Sequence, residues 1–225
     1  MLLTECVEHN LDTTCPVFTD DDLVVEVLAL MQEEGLDCAP VLHEGSIWAM
    51  VTILDLLPVQ HSKKRLKELK LGHAESIGLH EHLFEIIARM DSFSCALIPV
   101  SEGDEHYVGV VEKAVLFEHF TDIFHLGEEG VTLELDVPSS DLKLSQVIAT
   151  LEKNDATVLS CGMYPAVPEG MGMVVTFRLQ THDLFRLVAN LEKYGYLIRY
   201  TSPFFKIKDD EMREKALEVM RFMDM

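Results

Sequence analysis

Val24-Val25-Glu26-Val27-Leu28-Ala29-Leu30-Met31 has a counterpart 59 residues further on, Leu83-Phe84-Glu85-Ile86-Ile87-Ala88-Arg89-Met90. Val24, Val27, Leu28 and Met31, and likewise Leu83, Ile86, Ile87 and Met90, follow the i, i+3, i+4, i+7 spacing that lines one face of an amphipathic helix. The same offset carries Glu26 to Glu85 and Pro40 to Pro99. Self-similarity at a fixed offset is the mark of a repeated supersecondary unit, and it organises everything N-terminal to about residue 126.

Working outward, each helix is followed by a short apolar strand, Ala39 to Leu42 and Leu97 to Val100. A polar turn comes next, His43-Glu44-Gly45-Ser46 in the first copy and Ser101 to His106 in the second. Second apolar strands, Ile47 to Val51 and Tyr107 to Val111, run into helices opening at Thr52 and Glu112, so each unit reads helix, strand, turn, strand, helix. One such unit cannot cover both faces of its small sheet. Two copies can bury their sheets and helices against one another.

Ala49-Met50-Val51-Thr52-Ile53-Leu54-Asp55, at the first strand-to-helix junction, resembles the CBS motif, whose junction reads G-h-h-T/S-x-x-D with h apolar. The second copy, Gly109-Val110-Val111-Glu112-Lys113-Ala114-Val115, keeps the glycine and the apolar pair and has lost the hydroxyl and the carboxylate. The resemblance implies an adenine-nucleotide cleft, with AMP, ADP, ATP or S-adenosylmethionine as candidate ligands. It gives Thr52 the phosphate role, Asp55 the ribose role, and Val17, Cys38 and Ala39 the adenine slot. A helix N-terminus offers unpaired N–H groups to a phosphate, and a carboxylate can accept from two ribose hydroxyls. Thr52 and Asp55 equally spell a capping box, which stabilises a helix start by about 1 kcal/mol with no ligand at all. Ala49 stands where the motif has glycine, and its methyl is expected to crowd an approaching phosphate. Glu112 puts a negative charge where a second phosphate would lie, so one nucleotide per chain is the expectation.

Lys63-Lys64-Arg65-Leu66-Lys67-Glu68-Leu69-Lys70 joins the two copies and carries five of the 18 basic residues. It reads as the solvated face of a short helix with Leu66 and Leu69 turned inward, or as a cationic arm reaching a bound phosphate or an acidic partner.

Beyond His125-Leu126-Gly127-Glu128-Glu129-Gly130 the pattern changes. Val131 to Val137 alternates as a strand, Leu144, Val147, Ile148 and Leu151 have helical spacing, and Thr157 to Tyr164 and Met173 to Leu179 read as strands around a Pro165 to Gly172 turn. A helix from Thr181 to Tyr194, stopped by Gly195, and a last strand from Tyr196 to Tyr200 complete the order βαββαβ, the ferredoxin-like split unit. Length and order resemble an ACT domain, but the loop Asp136 to Leu142 lacks the glycine of an ACT ligand turn, which favours dimerisation over amino-acid binding. The fold class is therefore α/β (α+β): a tandem CBS pair over 1–126 (repeats about 1–60 and 61–126), an ACT-like domain over 127–202, and a helical tail over 203–225. On that tail Met212, Ala216, Val219, Met220 and Met223 form an apolar stripe. The whole resembles the acetoin-utilisation regulatory proteins.

Composition narrows the function. With 39 acidic against 18 basic side chains the formal charge is -21, which opposes binding to nucleic acid or to an anionic membrane. No apolar run reaches the roughly 18 to 20 residues of a membrane span, and MLLTECVEHNLD is acidic where a signal peptide is basic, so a cytoplasmic location is expected. Five cysteines without a C-x-x-C pair fit reduced, mostly buried thiols. His80-Glu81-His82 has i, i+2 spacing at a helix start and no further ligands nearby, so no metal is expected. No nucleophile elbow, P-loop or H-E-x-x-H motif occurs, so no catalytic residues are assigned and the chain is read as non-enzymatic. The expectation is a homodimeric regulatory protein that senses an adenine nucleotide and signals to an unknown protein partner. The alternative is a ligand-free dimerisation or interaction scaffold with degenerate sites.

Overall fold

Buried apolar spacing becomes structure first in the helix that holds Val24 to Met31. A computed structural model of the chain describes residues 1–7, 10–103, 106–138, 143–166 and 172–202. It divides into two units, Met1–Phe120 and Thr121–Met225. The N-terminal unit opens with α1 (Leu3–Val7) and the two-residue strand β1 (Phe18–Thr19), followed by α2 (Val24–Glu34). Val24, Val27, Leu28 and Met31 of α2 are all buried, as their spacing requires. Strands β2 (Cys38–His43) and β3 (Ser46–Thr52) form a hairpin whose turn residues Glu44 and Gly45 both have positive φ, 52° and 87°, the backbone of a two-residue turn that matches strand twist. The short helix α3 (Ile53–Leu56) closes the first repeat.

The second repeat runs through β4 (Ile77–Gly78), α4 (Leu83–Ala88), β5 (Leu97–Glu102), β6 (His106–Glu112) and α5 (Lys113–Ile123). Here the predicted stripe is cut short. Leu83 and Ile86 are buried, but α4 ends at Ala88, and Met90 lies in a following 3₁₀ turn, half-buried. The cause is Arg89, at the position of Leu30 in the first copy. Its backbone leaves helical geometry at φ -117°, and its guanidinium turns to the Glu81 carboxylate at 2.7 and 2.8 Å.

The six strands form one sheet in the order β1-β2-β3-β6-β5-β4. β1 pairs parallel to β2 and β4 parallel to β5, while both hairpins are antiparallel. Between the repeats, among the described residues, the sheet is joined where Ser46 pairs with His106 and Tyr107 N–H donates to the Gly45 carbonyl. The remaining ties are reciprocal. The segment preceding the second repeat clips onto the first through Leu23 and Arg65, and Ala49 with His73. The segment preceding the first clips onto the second through Leu2 and His82, and Asp12 with Val110. Leu66 and Leu3, one in each clip, are fully buried.

The linker is thus anchored rather than free. Leu66 N–H donates to the Asp22 carbonyl at 3.0 Å, Lys67 N–H to the Asp20 carbonyl at 2.8 Å, and the Lys67 ammonium pairs with Asp21 at 2.6 Å. Leu66 is buried and Leu69 packs half-buried against the same core, although the helical stretch is only the 3₁₀ turn Leu66–Glu68.

In the C-terminal unit, β7 (Val131–Val137), α6 (Leu144–Lys153), β8 (Ala156–Pro165), β9 (Met173–Thr181), α7 (Leu184–Lys193) and β10 (Leu197–Thr201) follow in that order. The strands pair antiparallel as β10-β7-β9-β8. This is the ferredoxin-like arrangement. Leu133, Leu135 and Val137 of β7 and Val175, Phe177 and Leu179 of β9 meet Val147, Leu151, Leu187, Val188 and Leu191 of the two helices in one core. Asp183 caps α7 by accepting from Arg186 N–H at 3.0 Å. Most of the loop after β7 and the Met-bearing tail lie outside the described residues. Among the described residues no helix is long and apolar enough to cross a membrane.

Candidate functional site

Strand β3 alternates strictly, with Ile47, Ala49 and Val51 buried in the core and Met50 and Thr52 on the opposite side. That alternation delivers Thr52 to the mouth of a crevice of about 380 Å³, within the roughly 300 to 1,000 Å³ typical of small-molecule sites. Met50, Thr52, Leu54 and Asp55 form one wall. The others come from the second repeat and its leader: Lys70 to Glu75, Ser92 to Cys95, Leu97 and Pro99.

Thr52 and Asp55 are engaged with each other. The Thr52 hydroxyl donates to Asp55 Oδ2 at 2.6 Å, Thr52 N–H donates to the same oxygen at 2.9 Å, and Asp55 N–H donates to Thr52 Oγ at 3.3 Å. This is a complete capping box. Among the described residues no hydrogen bond occupies Asp55 Oδ1, and Asp55 is exposed at the crevice. On the far wall, Ser92 Oγ donates to Glu75 at 2.8 Å, and Arg89 approaches the same carboxylate at 3.4 Å, offsetting its charge. Lys70 lines the crevice with an exposed side chain and no ion pair to another described residue. Lys113, just past the second junction, donates its ammonium to the Phe93 carbonyl and so braces the segment that carries Ser94 and Cys95.

Of the residues expected to form the site, Thr52 and Asp55 are brought together at the crevice, and Val17, Cys38 and Ala39 are not among those that line it. Ala39 is fully buried in the core, Cys38 is 6% exposed at the start of β2, and Val17 is 40% exposed just before β1. The reason is the reciprocal clipping. The first junction faces the leader and the strand of the second repeat, so the repeat offset that takes Cys38 to Leu97 points to the strand that does line the crevice. Lys70, His73, Leu97 and Pro99 were legible only through that exchange. Ala49 also differs from expectation: its methyl faces the core at 0% exposure and does not reach the crevice.

At the second junction the fit is tighter. Val110 exchanges backbone hydrogen bonds with Asp12 at 2.9 and 3.0 Å, and a Cβ placed on Gly109 would lie 2.8 Å from the Asp12 carbonyl oxygen. Asp12 is occupied in turn by Thr14 N–H and hydroxyl, both at 2.7 Å, and Cys15 N–H at 3.0 Å; these bonds hold its carboxyl below the usual range. Glu112 is exposed. Among the described residues no group of three or more His, Cys, Asp and Glu is arranged to hold a metal ion.

With this geometry in place, comparison with known proteins assigns the first repeat: residues 10–62 match the CBS domain family, so a CBS domain is present there. No curated protein matches the chain by sequence. Similar solved structures are CBS-pair proteins. A CBS domain pair/ACT domain protein from Thermotoga maritima is 15% identical, with a TM-score of 0.46 over 54% of this chain and 98% of that one. CBSX2, solved in complex with AMP, is 14% identical, with a TM-score of 0.45 over 54% and 97%. The CBS domains of a transcriptional regulator from Streptococcus pneumoniae are 18% identical, with a TM-score of 0.44 over 50% and 96%.

Proposed function

We propose that this chain is a non-catalytic regulator that holds one adenine nucleotide in the crevice beside Thr52 and passes its occupancy to a protein partner from a homodimer. The observation that carries the reading is the crevice itself: room for a nucleotide, bounded by a hydroxyl, a carboxylate with a free oxygen, and a lysine, inside a unit that contains a CBS domain. Asp55 Oδ1 is positioned to accept from a ribose diol. The phosphate would meet Lys70, while Met50, Leu97 and Pro99 supply apolar walls for the base. The C-terminal unit, read as ACT-like, serves dimerisation. Signalling requires that the ligand favour one of two conformations, since equal affinity for both shifts nothing.

Calorimetric titration with AMP, ADP, ATP and S-adenosylmethionine tests this. The expected result is saturable heat from at least one of them at one ligand per chain, lost in Thr52→Ala plus Asp55→Ala. Absence of heat from all four overturns it. One observation favours the scaffold reading instead: the capping box engages Thr52 and one carboxylate oxygen of Asp55 without any ligand. That reading predicts the double variant loses helix stability and nothing else.

A further inference from the structure

Lys70 is, among the described residues, the one side chain lining the crevice with a fixed positive charge, and it shares that space with two carboxylates, Asp55 and Glu75. Glu75 is held in place: Ser92 Oγ donates to one of its oxygens at 2.8 Å, and Arg89 reaches the same oxygen at 3.4 Å. Arg89 offsets only part of the Glu75 charge, because its guanidinium is already closed on Glu81 at 2.7 and 2.8 Å. Two cations, Lys70 and Arg89, thus stand against three carboxylates, Asp55, Glu75 and Glu81. His73, on the same wall, donates Nδ1–H to the Trp48 carbonyl at 3.2 Å, so in its neutral form the ring presents Nε2 as an acceptor and not as a donor to phosphate.

We infer, on the reading that an adenine nucleotide occupies this crevice, that Lys70 and Glu75 determine its specificity: the crevice takes an adenosyl ligand with one phosphate and turns away di- and triphosphates. A monophosphate needs one cation at the crevice, and Lys70 supplies it. Each further phosphate brings more negative charge to a crevice that has no second lining cation to meet it and a fixed carboxylate at Glu75. Two like unit charges about 6 Å apart in water repel enough to weaken binding roughly threefold. The formal charge of -21 on the whole chain adds a long-range contribution of the same sign. Discrimination of this kind comes as much from repelling the wrong ligand as from attracting the right one.

The test is calorimetric titration of the full chain with adenosine, AMP, ADP and ATP, with magnesium chelated and at low salt. AMP should bind most tightly of the three nucleotides, with ADP and ATP weaker by roughly threefold per added phosphate. The gap should close between about 0.01 M and about 1 M salt, as the screening length falls from about 30 Å to about 3 Å. Lys70→Gln should weaken AMP and leave uncharged adenosine where it was. Glu75→Gln, which keeps an acceptor for Ser92 Oγ, should narrow the gap between AMP and ATP, again without moving adenosine. ATP binding as tightly as AMP overturns the inference while the nucleotide reading stands. A gap that salt does not change overturns it too, since shape and not charge would then exclude the longer ligands. Silence from AMP, ADP and ATP alike also overturns it, and the nucleotide reading falls with it if S-adenosylmethionine is silent as well. The order and salt dependence in the unsubstituted chain decide the matter even where a variant folds poorly.

Discussion

The two strand-to-helix junctions of the N-terminal unit occupy equivalent places in one repeated pattern and are built to different ends. At the first, the buried Ala49 faces the core, Thr52 and Asp55 cap α3, and a crevice stands open beside them. At the second, Gly109 and Val110 are pressed against Asp12, and Glu112 and Val115 replace the hydroxyl and the carboxylate. The difference teaches that the pattern of strands and helices is maintained by apolar positions shared between the copies, whereas the polar residues at the junction are free to diverge. A fold repeat therefore does not imply a site repeat.

The largest effects should come from what the halves have in common. Leu3→Ala and Leu66→Ala each remove a fully buried side chain from a clip, so each should destabilise by roughly 2–5 kcal/mol in chemical denaturation. Should one prove neutral while the other does not, the two clips are not equivalent. A smaller, opposed pair sharpens the contrast at the junctions. Gly109→Ala forces a methyl against the Asp12 carbonyl and should cost roughly 1–3 kcal/mol, while Ala49→Gly should cost nearer ~1 kcal/mol through lost burial and added chain freedom. A tolerated Gly109→Ala would mean the second junction is as roomy as the first. Thr52→Ala should cost about 1 kcal/mol through the lost cap, measurable as a lower Tm. The least effect belongs to Glu112→Ala: an exposed change within ~0.5 kcal/mol that leaves ligand stoichiometry in calorimetry where it was. A second molar equivalent of bound nucleotide in that variant would show that its charge alone keeps the second half-site shut.

Much of this is legible in the sequence, for a reason tied to burial. Val24, Val27, Leu28 and Met31 must share a face to leave water, so their spacing dictates a helix; the alternation of Leu133, Leu135 and Val137 dictates a strand in the same way. Phe18-Thr19 and Ile77-Gly78 were not legible as strands, since two residues carry no alternation and their pairing is supplied by β2 and β5. The early end of α4 turned on Arg89 finding Glu81, a contact between side chains that periodicity does not register. For the crevice, the pairing of Thr52 with Asp55 could be read because a local motif places both. The rest of the wall could not, because Val17, Cys38 and Ala39 are neighbours of Thr52 within their own repeat, while the crevice is completed by the other one.

The reciprocal clips have a consequence for how the protein is made. Val24 N–H donates to the Lys64 carbonyl and the Asp20 and Asp22 carbonyls accept from Lys67 and Leu66, while Leu83 N–H donates to the Met1 carbonyl and the Glu81 carbonyl accepts from Leu3. During translation the first repeat therefore stays unfinished until the linker has left the ribosome, and the second closes only when chain synthesised much earlier folds back to it. Fragments severed between the repeats should be poorly folded alone and should complement one another when mixed, each supplying the edge the other lacks.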